Sequence, residues 1–215
     1  MNAIYPSLIS ANLLCLEEEI QTLEPYAAGF HLDVMDFHFV PNLTWGPDFI
    51  NAIRAKAAKQ LLVHLMVEYP EKYFARFKLH PQDIVSIHLE SPSSLSLQEL
   101  FAEITSRGWI PSIAINPYTP LEALISLTVP LKHVLLMSVQ PGFSGQTFLP
   151  FILKKLKALN DFRKSHNLSF TISIDGGITA DIAKELAKNG ANQLAIASAI
   201  FHDSNPLKAL QQFSQ

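Results

Sequence analysis

The chain has 215 residues, of which 48% are hydrophobic and 16% are charged, and its formal net charge at pH 7 is −3. This length and composition predict one large hydrophobic core and a single domain over residues 1–215. The slightly acidic net charge and the lack of a long basic run argue against nucleic acid or an acidic membrane surface as a partner. No apolar stretch reaches the ~20 residues that a membrane-spanning helix requires. We therefore expect a small molecule as the partner.

Short apolar runs rich in isoleucine, valine and leucine alternate along the chain with longer amphipathic segments. This alternation is typical of a parallel sheet wrapped by helices. The eight predicted strands cover residues 4–9, 30–34, 61–65, 84–89, 111–115, 133–137, 170–174 and 194–197. Helix start signals follow several strands: Pro47 before Asp48, Pro70 before 71–79, Pro120 before 121–127, and Thr179 before 181–189, which Gly190 ends.

Eight strand and helix units in this length predict a single-domain (β/α)8 TIM barrel, and an open doubly wound sheet is the alternative. The seventh strand favours the barrel, because Thr171, Ser173 and Asp175 share one face while two isoleucines share the other. Small polar side chains would then line the lumen, and branched apolar side chains would meet the helices.

Four residues at the carboxyl ends of three predicted strands form a candidate metal site. His31 and Asp33 are two positions apart, so both side chains leave the same face of one strand. His64 and Asp175 end two other apolar runs, and in a barrel all of these strand ends meet at the same mouth. Two imidazoles and two carboxylates suit Zn²⁺, Fe²⁺, Mn²⁺ or Co²⁺ better than Mg²⁺. Since two buried carboxylates require a counter-charge, the set predicts one divalent ion.

Turns after the sixth, seventh and eighth strands form a candidate phosphate site. Loops at these positions usually bind phosphate in this fold, through backbone N–H groups and helix amino ends. They contain no lysine or arginine, so we expect the backbone to hold a single phosphate. The candidate substrate-binding residues are Gly142, Phe143, Ser144, Gly145, Gly176, Gly177, Ala197 and Ser198.

Three methionines end predicted strands and are candidates for the wall of the reaction pocket. Met35 and Met66 each share the face of a proposed ligand two residues earlier, and Met137 ends the sixth strand. Core filling is the alternative interpretation of a methionine at such a position. Here we expect all three thioethers to form a water-poor wall around a planar intermediate.

Four further polar residues lie close to these strand ends. Ser10 ends the first predicted strand and can reach the site. Asp36 has the opposite parity to the ligand set, so we expect it to bind a loop rather than the metal. His88 and Glu90 share a face at the end of the fourth strand, and they are either outer partners of the metal ligands or a satisfied core pair.

These residues resemble the ribulose-phosphate 3-epimerase family from Pro6 to Phe201. The stretches that carry the resemblance are PSLISAN (6–12), HLDVMD (31–36), HFVPN (38–42), HLMV (64–67), NPYTP (116–120), MSVQPGF (137–143), DGGI (175–178) and SAIF (198–201). The resemblance implies a ribulose-phosphate-binding TIM barrel that acts in the pentose phosphate pathway and assembles as a homo-oligomer. It also implies one divalent metal ion per subunit, for which Zn²⁺ or Fe²⁺ is expected first and Mn²⁺ or Co²⁺ is the alternative.

The implied reaction is a metal-dependent epimerisation that interconverts D-ribulose 5-phosphate and D-xylulose 5-phosphate by two-base proton transfer at C3 through an enediolate. A proton beside a carbonyl is too weakly acidic for a free carboxylate to remove quickly, so the metal must stabilise the enediolate. By resemblance, Asp33 and Asp175 are metal ligands that exchange the C3 proton on opposite faces, His31 and His64 complete the metal shell, and Ser10 and His64 contact the substrate.

Three residues depart from the family pattern near the site. Phe37 stands where the family usually has glycine, so a bulky side chain is expected in the turn over the pocket. Ala197 replaces a usual glycine, for which a left-handed backbone would be costly. Ser144 takes the place of a small glycine or alanine and can add a hydroxyl donor.

Three other functions stay open from the sequence. A 3-epimerase of a ketohexose 6-phosphate, such as D-allulose 6-phosphate, would use the same metal, acids and phosphate turns. A metal-dependent lyase would form the same enediolate without a carboxylate on each face, and a non-catalytic barrel would bind sugar phosphate only. The lone Cys15 cannot form an internal disulfide, and the amino terminus lacks a signal-peptide pattern, so we expect a cytoplasmic enzyme.

Overall fold

A computed structural model describes residues 2–213 and contains one parallel eight-stranded sheet. The strands are β1 (Ala3–Pro6), β2 (Gly29–Met35), β3 (Gln60–Met66), β4 (Ile84–His88), β5 (Ile110–Ile115), β6 (His133–Met137), β7 (Thr171–Asp175) and β8 (Gln193–Ile196). The order in the sheet is β1-β8-β7-β6-β5-β4-β3-β2. A parallel bridge between Ser7 and His31 brings β1 beside β2. The sheet is therefore a nearly closed barrel, which confirms the predicted fold and rules out the open sheet.

Helices follow each strand and cover the outside of the barrel. Within residues 2–213 they are α1 (Leu16–Leu23), α2 (Pro47–Lys56), α3 (Glu71–Phe74), α4 (Leu97–Ser106), α5 (Leu121–Ile125), α6 (Ile152–Ser165), α7 (Ala180–Lys188), α8 (Ser198–Phe201) and α9 (Pro206–Gln212). Ser96 and Glu99 form a capping box at the start of α4, and the Thr179 hydroxyl caps α7. None of these helices has both the length and the apolar character that crossing a membrane requires.

Three predicted element ends are wrong by two residues or more, and several others differ by one residue. The first strand ends at Pro6 instead of residue 9, because Leu8–Ser10 form a turn of 3₁₀-helix that carries the chain toward the barrel mouth. The helix predicted over 71–79 ends at Phe74. The chain after it forms isolated turns, in one of which the amide of Phe77 donates to the carbonyl of Phe74. The helix predicted over 121–127 ends at Ile125.

The main apolar core lies between the outer faces of the strands and the helices. Its residues include Phe30, Leu32 and Ile174, which are inaccessible to solvent. A second, smaller apolar cluster includes Leu62, whose side chain shares a strand face with that of His64. Because the outer layer contains many more buried apolar side chains than the cluster with Leu62, it supplies most of the hydrophobic stabilisation.

A buried ion pair links α2 to the start of β4. Nη1 of Arg54 lies 2.9 Å from Oδ1 of Asp83, and the two residues are only 3% and 2% exposed. The second nitrogen of the guanidinium donates to the carbonyl of Ala57. Asp83 also accepts from the amides of Leu61 and His80, each at 2.8 Å. The carboxylate is therefore satisfied by one cation and two backbone donors.

His133 lies in a polar layer inside the barrel. Its Nδ1 is 2.7 Å from the Ser112 hydroxyl, and its Nε2 is 2.8 Å from the Ser173 hydroxyl and 2.9 Å from Oε1 of Gln193. Burial lowers the pKa of His133 to about 4, against a smaller raising effect of Gln193. The imidazole is therefore neutral in the folded protein at pH 7.

We expect His133 to make the protein less stable in mild acid. The unfolded chain takes up this proton near its usual pKa of 6.5, whereas the folded chain does so only near 4, so stability is full above pH 6.5 and falls as pH falls toward 4. Between pH 7.5 and pH 5 the loss is about 2 kcal/mol. Urea denaturation of wild type and His133→Gln at both pH values measures this loss as the difference between their pH dependences. An equal pH dependence in the two proteins would contradict this origin.

Candidate metal centre

Four side chains from three strands meet at the mouth of the barrel. The register of the sheet pairs Asp33 on β2 with His64 on β3, and His31 lies two residues before Asp33. Asp175 ends β7, which β1 and β8 separate from β2 around the barrel. One ligand atom from each of the four residues lies within 4.8 Å of the others. The strand-end positions predicted from the sequence thus come together in one cluster that can hold a metal ion.

His31 supplies the most direct evidence that this cluster fits a cation. Its Nδ1 is 3.1 Å from the Ser7 hydroxyl and 3.2 Å from Oδ2 of Asp33. Its Nε2 is buried, has no hydrogen-bond partner among residues 2–213, and lies 3.8 Å from Oδ2 of Asp175. Burial lowers the pKa of His31, but the charges of Asp33 and Asp175 and the hydrogen bond to Asp33 outweigh it and raise this pKa to about 9, so the ring is protonated and is the positive group of the cluster. A metal ion that takes the place of the Nε2 proton would bind this nitrogen and face Oδ2 of Asp175.

The two carboxylates of the cluster have pKa values that are shifted in opposite directions. Burial raises the pKa of Asp33, but the positive charge and hydrogen bond of His31 outweigh it and hold this pKa well below its usual range. Burial raises the pKa of Asp175 to about 7, and the negative charge of Asp33 adds to this against the lowering effect of His31. Burial also lowers the pKa of His64 to about 3, so this ligand is a neutral imidazole.

Ser7 joins the site although the sequence did not single it out. Its hydroxyl donates to Oδ2 of Asp33 at 2.7 Å and lies 3.1 Å from Nδ1 of His31. The residue follows β1 and is 1% exposed. The predicted first strand runs through Ser7 to residue 9, so no sequence signal marks Ser7 as a site residue. Ser7 fixes the orientation of two ligands at once.

A cavity opens beside the metal cluster and is bounded by both carboxylates. Its apolar wall contains Met35, Met66 and Met137, all nearly inaccessible to solvent. All residues of the predicted phosphate turns belong to its lining: Gly142, Phe143, Ser144, Gly145, Gly176, Gly177, Ala197 and Ser198. Gly177 has φ +64°, and a β-carbon there would collide with the backbone of Phe148. No lysine or arginine is among the described residues that line the cavity.

The three departures from the family pattern have different structural settings. Ser144 lies with its hydroxyl 2.7 Å from that of Ser10, so these two side chains meet across the cavity mouth. Ala197 has φ −102°, an ordinary value for alanine, and the loss of glycine there causes no left-handed strain. Phe37 has φ +64°, which explains the usual glycine, but its side chain is 66% exposed and lies outside the cavity lining.

Asp36 binds the loop that follows β2. Its Oδ1 accepts from the amides of His38 and Phe39, at 2.8 and 2.9 Å, and its Oδ2 accepts from the amide of Glu68 at 2.8 Å. Burial raises its pKa, and these three backbone donors outweigh that effect and lower it. The role expected from strand parity agrees with these contacts.

Comparisons with known proteins agree with this geometry. Residues 3–201 match the sequence profile of the Ribulose-phosphate 3 epimerase family. A ribulose-phosphate 3-epimerase of Synechocystis sp. is 38% identical over 96% of this chain and 90% of its own length. A protein of the same name from Bacillus subtilis is 35% identical over 99% of this chain and 98% of its own length.

Solved structures of lower sequence identity share the fold. Orotidine 5'-phosphate decarboxylase from Pyrococcus horikoshii is 14% identical and aligns with a TM-score of 0.63 over 98% of this chain and 96% of its own. Thiamine phosphate pyrophosphorylase from Pyrococcus furiosus is 15% identical, with a TM-score of 0.59 over 98% and 93%. These two likenesses support the barrel architecture alone.

Proposed function

This chain belongs to the ribulose-phosphate 3-epimerase family, and we propose that it interconverts D-ribulose 5-phosphate and D-xylulose 5-phosphate. It is an isomerase acting on carbohydrates. The proposed unit is one barrel domain over residues 1–215, assembled as a homo-oligomer. The observation that carries the proposal is that Asp33 and Asp175, carboxylates from two different strands, both line one cavity and belong to the candidate metal-ligand cluster.

Inversion at C3 needs one group to remove a proton from one face and another to return a proton to the other face. Asp33 and Asp175 both line the cavity, and in the protein without a metal ion the pKa of Asp33 is lowered whereas that of Asp175 is raised to about 7. Titratable pairs whose environments push their pKa values apart are typical of acid and base partners. We assign Asp33 and Asp175 these two roles, which exchange when the reaction runs backward.

His31, Asp33, His64 and Asp175 are the proposed ligands of one divalent ion, and their nitrogen and oxygen donors suit Zn²⁺ or Fe²⁺, with Mn²⁺ or Co²⁺ as alternatives. When bound, the ion supplies positive charge that stabilises the enediolate. The methionine wall keeps water away from the reacting carbon, and Ser7 holds His31 and Asp33 in place.

The phosphate is proposed to bind at the three turns that line the far side of the cavity. Because this lining contains no cationic side chain among the described residues, backbone N–H groups and the Ser144 and Ser198 hydroxyls are the available donors. Ser10 is proposed to contact the sugar at the cavity mouth, where its hydroxyl meets that of Ser144. The substrate contact predicted for His64 stays a prediction, since its buried side chain is outside the cavity lining.

We expect purified protein to convert D-ribulose 5-phosphate to D-xylulose 5-phosphate when it is loaded with Zn²⁺ or Fe²⁺, and to lose this activity after chelation. A coupled assay of xylulose 5-phosphate formation measures both results, and restoration by added metal excludes damage by the chelator. Faster turnover of D-allulose 6-phosphate would favour the hexose epimerase. Metal-bound, folded protein without epimerase activity on either sugar would favour a lyase or a sugar-phosphate-binding barrel.

A further inference from the structure

A chain of polar side chains leads away from the metal cluster behind His64. Nε2 of His64 lies 2.8 Å from Nε2 of His88, and Nδ1 of His88 lies 3.2 Å from Oε2 of Glu90. Both imidazole side chains are inaccessible to solvent, and the Glu90 side chain is 22% exposed. We name His64, His88 and Glu90 the carboxylate relay. Its contacts decide where the imidazole hydrogens lie.

The outer end of the carboxylate relay is fixed by donors on Glu90. Oε1 of Glu90 accepts from the amide of Asn116 at 2.8 Å and from the Thr119 hydroxyl. Burial raises the pKa of Glu90, but hydrogen bonds from His88, Thr119 and Asn116 outweigh it and lower this pKa to about 2. Because a carboxylate only accepts hydrogen bonds, Nδ1 of His88 must carry the hydrogen that points at Oε2.

The inner end of the carboxylate relay follows from the outer end. With Nδ1 of His88 donating to Glu90, the ring offers the lone pair of Nε2, and this lone pair accepts from Nε2 of His64. His64 is then left with a lone pair on Nδ1. That nitrogen faces the metal cluster, 3.1 Å from Oδ1 of Asp33 and 3.6 Å from Oδ2 of Asp175.

We propose that Glu90 is a positioning residue that acts through His88 to keep the hydrogen of His64 on Nε2, which leaves Nδ1 free to bind the metal ion. The inference rests on the metal centre of the proposed function and extends it to two residues without a ligand role. Lys155 on α6 supports the arrangement, because its Nζ donates to the carbonyls of Asn116 and Pro117, at 2.9 and 3.1 Å, and so holds the loop that binds Glu90.

Glu90→Gln is the sharpest test, because the two donors at Oε1 dictate how the glutamine amide sits. Asn116 and Thr119 require an acceptor, so the glutamine oxygen takes that place and its NH₂ group faces His88. His88 must then accept at Nδ1 and donate from Nε2. In turn His64 must accept at Nε2, which places its hydrogen on Nδ1, against the metal. A neutral, nearly isosteric change thereby reverses the whole relay.

We expect Glu90→Gln to bind Zn²⁺ about 10–100-fold more weakly than wild type, in competition with a chromogenic chelator. Nitrogen-15 NMR of histidine-labelled, Zn²⁺-bound wild type should show the hydrogens of His64 on Nε2 and of His88 on Nδ1. Glu103→Gln is the matched control, since it makes the same change at a partly exposed carboxylate that pairs with Arg107 on the surface. Its Zn²⁺ affinity should equal that of wild type.

Two results would overturn the inference while leaving the metal centre in place. One is a Glu90→Gln protein that binds Zn²⁺ as tightly as wild type. The other is a wild-type spectrum with the His64 hydrogen on Nδ1, and this measurement decides the question even if the variant does not fold. If wild type binds no Zn²⁺, the metal centre fails together with the relay.

Discussion

Asp175→Asn is expected to lower kcat/KM for the epimerisation at least about 10³-fold, within the range assigned to general acid–base groups. The amide cannot exchange the C3 proton, and it is a weaker ligand than a carboxylate. The fold should survive, because burial raises the pKa of Asp175 to about 7 and a neutral side chain therefore suits this position at least as well as a charged one. Activity assays measure the loss of catalysis, and circular dichroism shows whether the fold is retained.

Asp181→Asn supplies the control for this change. It makes the same substitution at a side chain that is 97% exposed at the start of α7, so turnover should match that of wild type. The metal content of Asp175→Asn is measured alongside its activity. A metal-loaded Asp175→Asn protein with near-normal turnover would disprove the two-base mechanism, even if the epimerase activity itself were established.

Arg54→Met is expected to reduce the free energy of unfolding by about 3–5 kcal/mol, as found when one partner of a buried ion pair is removed. The substitution leaves the Asp83 carboxylate in the interior with only its two backbone donors. Methionine fills much of the space of the aliphatic stem, so the loss reports mainly on the uncompensated charge. Urea denaturation at pH 7 gives the magnitude.

Lys157→Met is the comparison at the surface. Nζ of Lys157 lies 2.8 Å from Oδ2 of Asp161 on α6, yet both side chains are more than half exposed. This substitution should therefore lower the free energy of unfolding by about 0.5 kcal/mol or less. In addition, Asp83→Asn in the Arg54→Met background should recover part of the stability. If the free energy of unfolding of Arg54→Met lies within about 1 kcal/mol of the wild-type value, the buried ion pair does not stabilise the fold as expected.

The fold and the ligand cluster could be predicted because each depends on periodicity. Alternation of short apolar runs with amphipathic segments gave eight strand and helix units, and the barrel places every strand end at one mouth. His31 and Asp33 follow from this directly, since two positions on a strand share a face. The cavity lining also includes all the predicted turn residues, because they directly follow neighbouring strands.

Other features depend on contacts that no local pattern contains. Ser7 is a single serine after a short strand, and only the approach of β1 to β2 places it between His31 and Asp33. Leu8 and Ile9 are as apolar as the strand before them, so the 3₁₀ turn could not be distinguished from more strand. His88 and Glu90 share a face in the sequence, but a hydrogen-bond direction requires distances.

The seam between β1 and β2 has a consequence for how the polypeptide reaches its native state. β1 forms its regular ladder with β8, from the other end of the chain, and meets β2 through the bridge at Ser7. During synthesis, β2 to β7 can pair as they emerge from the ribosome, while β1 must wait for the last strand. Contacts between such distant segments slow folding. Asp33 can meet His64 when β2 pairs with β3, but His31 reaches Asp175 of β7 only when the barrel closes, so the site is completed late in folding.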